Sequence, residues 1–160
     1  MGSRVRIVLA GSLAVWAIAV AQPFVTAEGP ANAVGAAATG VQTKKTTNDG
    51  VYTKEQADGA KAQYDKICAE CHPFTVAAKK KPKDKPLGED PFFEEWTGRP
   101  LSELVTLIHL TMPDDGSADV SEDDATNLVA YVLQQNGFAP GSAPLSKDSL
   151  TAIIERPAKK

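Results

Sequence analysis

The sequence predicts an all-α domain, and three observations carry that prediction. Apolar residues recur at helical spacing in three stretches between residues 53 and 137. Each stretch is bounded on at least one side by a capping or helix-breaking residue. Strict apolar–polar alternation is sustained nowhere over the length of a strand.

The elements follow in order. Thr53-Lys54-Glu55-Gln56 reads as a capping box, in which the threonine hydroxyl and the glutamine side chain satisfy each other's free backbone amides. The helix it starts is expected to run to about Glu70, with Ala57, Ala60, Tyr64 and Ile67 along one face. A short turn is expected from Pro91 to Trp96. Leu101 to Leu110 carries Leu101, Leu104, Val105 and Ile108 at helical spacing, and Pro113 lies just beyond its end. Ser121 with Asp124 caps a further helix bearing Leu128, Val129, Val132 and Leu133, which Asn136-Gly137 ends in a left-handed cap. A short helix from Ser146 to Glu155, stopped by Pro157, is expected in the tail. The total is three to five helices.

Residues 1–27 read as a secretory signal. Arg4 and Arg6 form a positive start, Ile7 to Ala21 is apolar and uncharged, and Val25-Thr26-Ala27 fits a cleavage site after Ala27. The apolar run falls short of the roughly 20 residues a spanning helix needs, and Pro23 breaks it. A cleaved signal sends the mature chain to the periplasm with no stable membrane span; an uncleaved N-terminal anchor is the alternative. Residues 28–50, rich in Ala, Gly, Thr and Asn, are expected to be a flexible lead-in. The domain proper is placed at 51–139 and a C-terminal extension at 140–160.

Composition narrows the function. The 160 residues fit about one domain. Loss of Arg4 and Arg6 leaves 15 basic against 20 acidic residues, a balance that argues against a nucleic-acid partner. The charge is unevenly spread: eleven Asp or Glu stand between Glu89 and Asp124 with Arg99 the one basic residue, whereas five lysines lie between Lys79 and Lys85. Two cysteines exclude a disulfide-rich scaffold. Ten aromatic residues, two of them in the signal, make a thin core for this length and point to a cofactor that fills it.

The chemistry sits at Cys68-Ala69-Glu70-Cys71-His72, the C-x-x-C-H pattern of covalent haem c attachment. Two thiols one helical turn apart can each add to one vinyl group of the same porphyrin, and the next residue turns its imidazole onto the iron. A thioredoxin-like thiol pair would need a surrounding βαβ pattern. A structural zinc would need four ligands. A lone exported disulfide is the bland alternative. After Ala27 the chain holds one methionine, Met112, and one histidine besides His72, namely His109. Met112 precedes Pro113, which biases it to an extended conformation in a loop. Met112 is therefore the favoured sixth ligand, with His109 and an open sixth site as alternatives.

With these residues on the page, 51–139 resembles the class I monohaem cytochromes c. The capped first helix, C-x-x-C-H, the later Met-Pro and the helix containing Leu128-Val129-Ala130-Tyr131 carry the likeness. It implies helices wrapped around one covalent haem c, with the first and last crossing near the haem edge at Tyr64 and Tyr131. The family's usual glycine at that crossing is Ala60 here. The proline segment whose carbonyl fixes the proximal histidine is not evident, since neither Pro82 nor Pro86 is assignable to it.

Residues 96–145 are similar to haem c subunits that accept electrons from periplasmic quinoprotein alcohol dehydrogenases. This narrower likeness rests on Trp96-Thr97-Gly98-Arg99-Pro100-Leu101, Thr111-Met112-Pro113 and Asn136-Gly137-Phe138. It implies a dehydrogenase as donor and an oxidase or another cytochrome as acceptor. Trp96 and Arg99 are candidate partners of the haem propionates, against plain packing for Trp96 and a solvated Arg99. The lysine run reads as a solvated loop or a docking site. Asp114, Asp115, Asp119, Glu122, Asp123 and Asp124 flank the ligand loop and are candidates for steering a basic partner. The function expected is single-electron carriage, and the alternative is a haem enzyme or ligand sensor with an open iron.

Overall fold

Thr53 begins the first helix, α1 (Lys54–Ile67), in an extended conformation and accepts a hydrogen bond from the Gln56 amide at 3.2 Å. The computed structural model describes residues 44–158; the signal segment 1–27 and most of the lead-in lie outside the described residues. Ala57, Ala60 and Tyr64 form the buried face of α1, with Ile67 half-buried. The reciprocal half of the capping box does not form. The Gln56 side chain instead donates to Asn127 Oδ1 and the Leu145 carbonyl, both at 2.9 Å, and accepts from the Leu145 amide at 2.7 Å. One amide side chain thereby satisfies three groups, whereas the return to Thr53 would satisfy one.

Helix α1 stops at Ile67, before the expected Glu70. The Cys68 amide still bonds the Tyr64 carbonyl, but the Cys68 carbonyl accepts from both Cys71 and His72, at 3.1 and 3.0 Å. The haem motif is thus a tight turn rather than a last helical turn.

The stretch expected as a turn is a two-turn helix, α2 (Glu89–Trp96), burying Phe92, Phe93 and Trp96. Pro91 lies in its first turn, where no intrahelical amide bond is lost. Helix α3 (Leu101–Thr111) buries Leu101, Leu104 and Val105 and ends at Met112, which is extended at φ −116° and ψ 143° before Pro113. Helix α4 (Glu122–Gln135) is capped as predicted, the Ser121 hydroxyl accepting from the Asp124 amide at 3.0 Å. Its end also matches: Gly137 has φ +81°, and the Phe138 amide reaches the Leu133 carbonyl at 3.2 Å.

Helix α4 is the centre of the packing, with α1 and α3 both against it. Ala125, Leu128, Val129, Val132 and Leu133 of α4 are all nearly inaccessible to solvent. At the α1–α4 crossing, the rings of Tyr64 and Tyr131 lie 5.0 Å apart, and Phe74 stacks on Tyr64 at 4.9 Å.

The tail differs from its expected helix. A short 3-10 turn, Lys147–Ser149, leads into an extended strap in which Leu150, Ala152 and Ile154 alternate inward. This alternation is too brief to register as a strand pattern. The strap fills a gap left by α3, whose preceding residue, Pro100, makes no side-chain cap. The carbonyls of Ala152 and Leu150 accept from the Leu101 and Ser102 amides, both at 2.9 Å, satisfying two of the free donors at the helix start.

Residues 44–50, the described end of the lead-in, are ordered. Thr47 is buried and its amide bonds the Ile153 carbonyl at 2.9 Å, while the Ile153 amide bonds the Lys45 carbonyl at 2.9 Å. Gly50, at φ +63°, brings its backbone against Gly141, where a Cβ on either residue would collide with the other. The two flanks thus close on each other, and the folded unit extends beyond 51–139. Among the described residues there is no named strand, only isolated bridges, and no helix is long and apolar enough to cross a membrane.

Candidate haem site

The turn after α1 fixes the first two site residues. Cys68 and Cys71, both half-buried with free thiols, line a cavity of about 220 Å³. Burial pushes the Cys68 thiol up to about 11. The Tyr64 hydroxyl donates to the His72 carbonyl and ties the motif to the aromatic cluster. Burial, the largest cause, pushes the Tyr64 phenol well above its ordinary value, so it remains a donor.

His72 lines the same cavity. Its Nδ1 lies 3.0 Å from the Lys85 carbonyl. A carbonyl only accepts, so Nδ1 carries the proton and Nε2 keeps its lone pair free. Lys85 is itself fixed, its amide bonding the Cys71 carbonyl at 3.0 Å, and the Leu87 amide bonds the Pro73 carbonyl at 2.8 Å. Asn136, at the end of α4, donates to the Leu87 carbonyl at 2.7 Å and the Val132 carbonyl at 2.9 Å. Lys85 supplies the carbonyl that sequence reasoning left unassigned, and the residue after it is Pro86. The signal was there, because a residue before proline is biased towards extended backbone.

A second stretch of chain supplies Met112, which lines the cavity with Pro113 at the end of α3. His109 does not line it. Its Nδ1 donates instead to the Val120 carbonyl at 2.8 Å, stapling the far end of the 113–120 loop to α3. Asp114 and Asp115 lie at the cavity edge beside Ser117. Hydrogen bonds from Ser117 hold the Asp115 carboxyl below the usual range.

Trp96 is buried and lines the cavity along with Phe92, Leu104, Leu128 and Val132. The structure does not bring Arg99 to it. The Arg99 guanidinium lies 4.1 Å from the centre of the Trp96 ring and pairs with Glu103 at 2.7 Å, on the outer side of α3.

The residues present fit a haem. Two thiols, an imidazole with a free Nε2 and a thioether meet at one apolar-lined cavity, a donor set that satisfies covalent attachment and axial ligation together. Among the described residues no group of three or more His, Cys, Asp or Glu is placed to hold a bare metal ion. The family model described as cytochrome C oxidase, cbb3-type, subunit III matches residues 55–132. No curated protein and no solved structure matches the chain. The matched stretch runs from the first turn of α1 into α4 and contains every residue that frames the cavity. The described residues therefore form an all-α cytochrome c fold, its cofactor is one covalently bound haem c, and the matched domain supports a haem-based electron carrier.

Proposed function

We propose that this protein is an exported, periplasmic carrier of single electrons in which Cys68 and Cys71 form the haem thioethers and His72 and Met112 are the axial ligands. The observation that carries the assignment is the meeting of all four side chains at one cavity from two separate stretches of chain. When bound, haem c supplies a one-electron iron centre. Each thiol adds across one vinyl double bond, its sulfur to one carbon and its hydrogen to the other, with no net oxidation. Lys85 holds the His72 ring in the tautomer that presents Nε2. The Met112 thioether favours ferrous over ferric iron and raises the potential. The His109 staple ties the far end of the loop after Met112 to α3, and apolar side chains form most of the cavity wall. Trp96, on the buried wall of the cavity, would pack against the porphyrin.

The likeness of residues 96–145 to quinoprotein-dehydrogenase acceptors supports such a dehydrogenase as donor. The description of the matching family supports a terminal oxidase as the acceptor end of the path. Asp114 and Asp115, at the cavity edge, place negative charge where a basic partner would approach.

The test is the sixth position. The ferric protein is expected to show the near-infrared sulfur-to-iron band and to bind no carbon monoxide when reduced at neutral pH. Met112→Ala is expected to abolish the band, lower the potential and admit carbon monoxide, while His109→Ala retains the band. Carbon monoxide binding by the unaltered protein would overturn the closed-site reading in favour of a haem enzyme or sensor.

A further inference from the structure

The lysine-rich loop between residues 79 and 85 folds around an acid. Asp84 is only 2% exposed, although its neighbours in the loop are mostly solvent-facing. Its Oδ2 accepts from the backbone amides of Lys80 at 2.8 Å and Lys81 at 2.9 Å, and its own amide returns to the Lys81 carbonyl at 3.1 Å. These bonds close a turn whose next residue is Lys85, the acceptor for His72 Nδ1.

We propose that Asp84 is a positioning residue that sets the Lys85 carbonyl against His72 and thereby tunes the haem reduction potential. The inference rests on His72 being an axial ligand. Its support is the other carboxylate oxygen. Oδ1 is buried and has no hydrogen-bond partner, an unfavourable arrangement for a charged group. A loop needed only for solubility has no reason to bury an acid; a loop whose carbonyl must point in one direction does. The two backbone amides, Lys81 first, with the charges of Lys81 and Lys79, hold the carboxyl below its ordinary range, so it stays ionised at neutral pH. The Lys85 carbonyl, by accepting Nδ1–H, makes the imidazole a stronger donor to ferric iron. Loosening the turn weakens that bond and destabilises the ferric form relative to the ferrous.

The experiment compares the holoprotein with Asp84→Ala and Asp84→Asn, reading the reduction potential and the hyperfine-shifted His72 ring protons in the ferric NMR spectrum. Asp84→Ala removes the oxygen that accepts from both amides and is expected to raise the potential and displace the His72 signals. Asp84→Asn keeps an oxygen for the two amides and is expected to restore the signals to their original positions, with a smaller rise in potential from the lost charge. Unchanged His72 signals in Asp84→Ala would overturn the inference. Equal displacement in both variants would overturn it too, by making charge rather than position the cause. If Asp84→Ala yields no holoprotein, Asp84→Ser, which leaves a short acceptor for at most one amide, is read against the same outcomes. A wild-type spectrum without His72 ring signals would instead refute His72 as ligand.

Discussion

Replacing Tyr64 with Phe separates the two things this residue does. The ring is 3% exposed and stacks with Phe74 and Tyr131 at the α1–α4 crossing, and its hydroxyl donates to the His72 carbonyl. Tyr64→Phe keeps the ring and removes the donor, leaving a half-buried carbonyl unpartnered at a cost of about 1–2 kcal/mol. For a domain of this size that corresponds to a fall in melting temperature of about 4–8 °C. Tyr64→Ala removes the ring as well and costs about 3–5 kcal/mol. Tyr52→Phe is the matched control: it loses a comparable bond, to the Phe138 carbonyl at 2.6 Å, remote from the haem motif. Thermal unfolding of the ferric holoproteins, followed by far-ultraviolet circular dichroism and by the Soret band, gives both readouts. Tyr64→Phe and Tyr52→Phe are expected to melt earlier by similar amounts, and Tyr64→Phe alone to shift the Soret maximum. Tyr64→Phe melting with the wild type would refute the reasoning, because the hydroxyl would then contribute nothing to the turn.

Haem is expected to stay on the polypeptide through acid–acetone extraction and denaturing electrophoresis, and Cys68→Ala/Cys71→Ala is expected to lose it and fold poorly; haem extracted freely from the wild type would refute covalent attachment. Association with a basic redox partner is expected to slow as salt rises, because the Debye length shrinks to about 8 Å at 0.15 M, and a stopped-flow rate indifferent to salt would make the acids near Met112 a merely solvated surface. Asp84 and Asp115 have carboxyls lowered below their ordinary value of 3.8 in the fold. Their contribution to stability is complete above that value and is lost as pH falls through it towards the lower folded values. Acid titration of the melting temperature is therefore expected to show a loss setting in below about pH 4, partly removed in Asp84→Asn.

Much of this site was legible because its determinants are local. C-x-x-C-H, the Ser121 cap, the Asn136-Gly137 stop and the extended Met112 before Pro113 depend on residues within one turn of each other, and all three structural features stand as read. What failed to show in the sequence is what distant segments settle. Gln56 has two ways to spend its amide, and only the arrival of Asn127 and Leu145 decides between them. Arg99 is next to the tail in space and pairs with Glu103 one helical turn away, which draws it off the cavity. Helix α2 carries little periodic signal, being eight residues with a proline, yet Phe92, Phe93 and Trp96 find a core to enter. Asp84 stands in a run of five lysines, and its burial depends on backbone amides, to which composition is blind.

The strap that caps α3 has a consequence for how the molecule is made. On the His72 side, the bond to Lys85 spans 13 residues, so that half of the site can assemble from a short stretch of chain. The start of α3, by contrast, draws its acceptors from Ala152 and Leu150, about fifty residues further on and close to the C-terminus. During synthesis, the Cys68–His72 turn and its contact with Lys85 are therefore complete well before α3 has its first amides satisfied. Closing that long loop is the slower, entropically costlier event. The turn that carries the two thiols can thus form before α3 is locked, with the 150–154 strap acting as a late latch on the helix that precedes Met112.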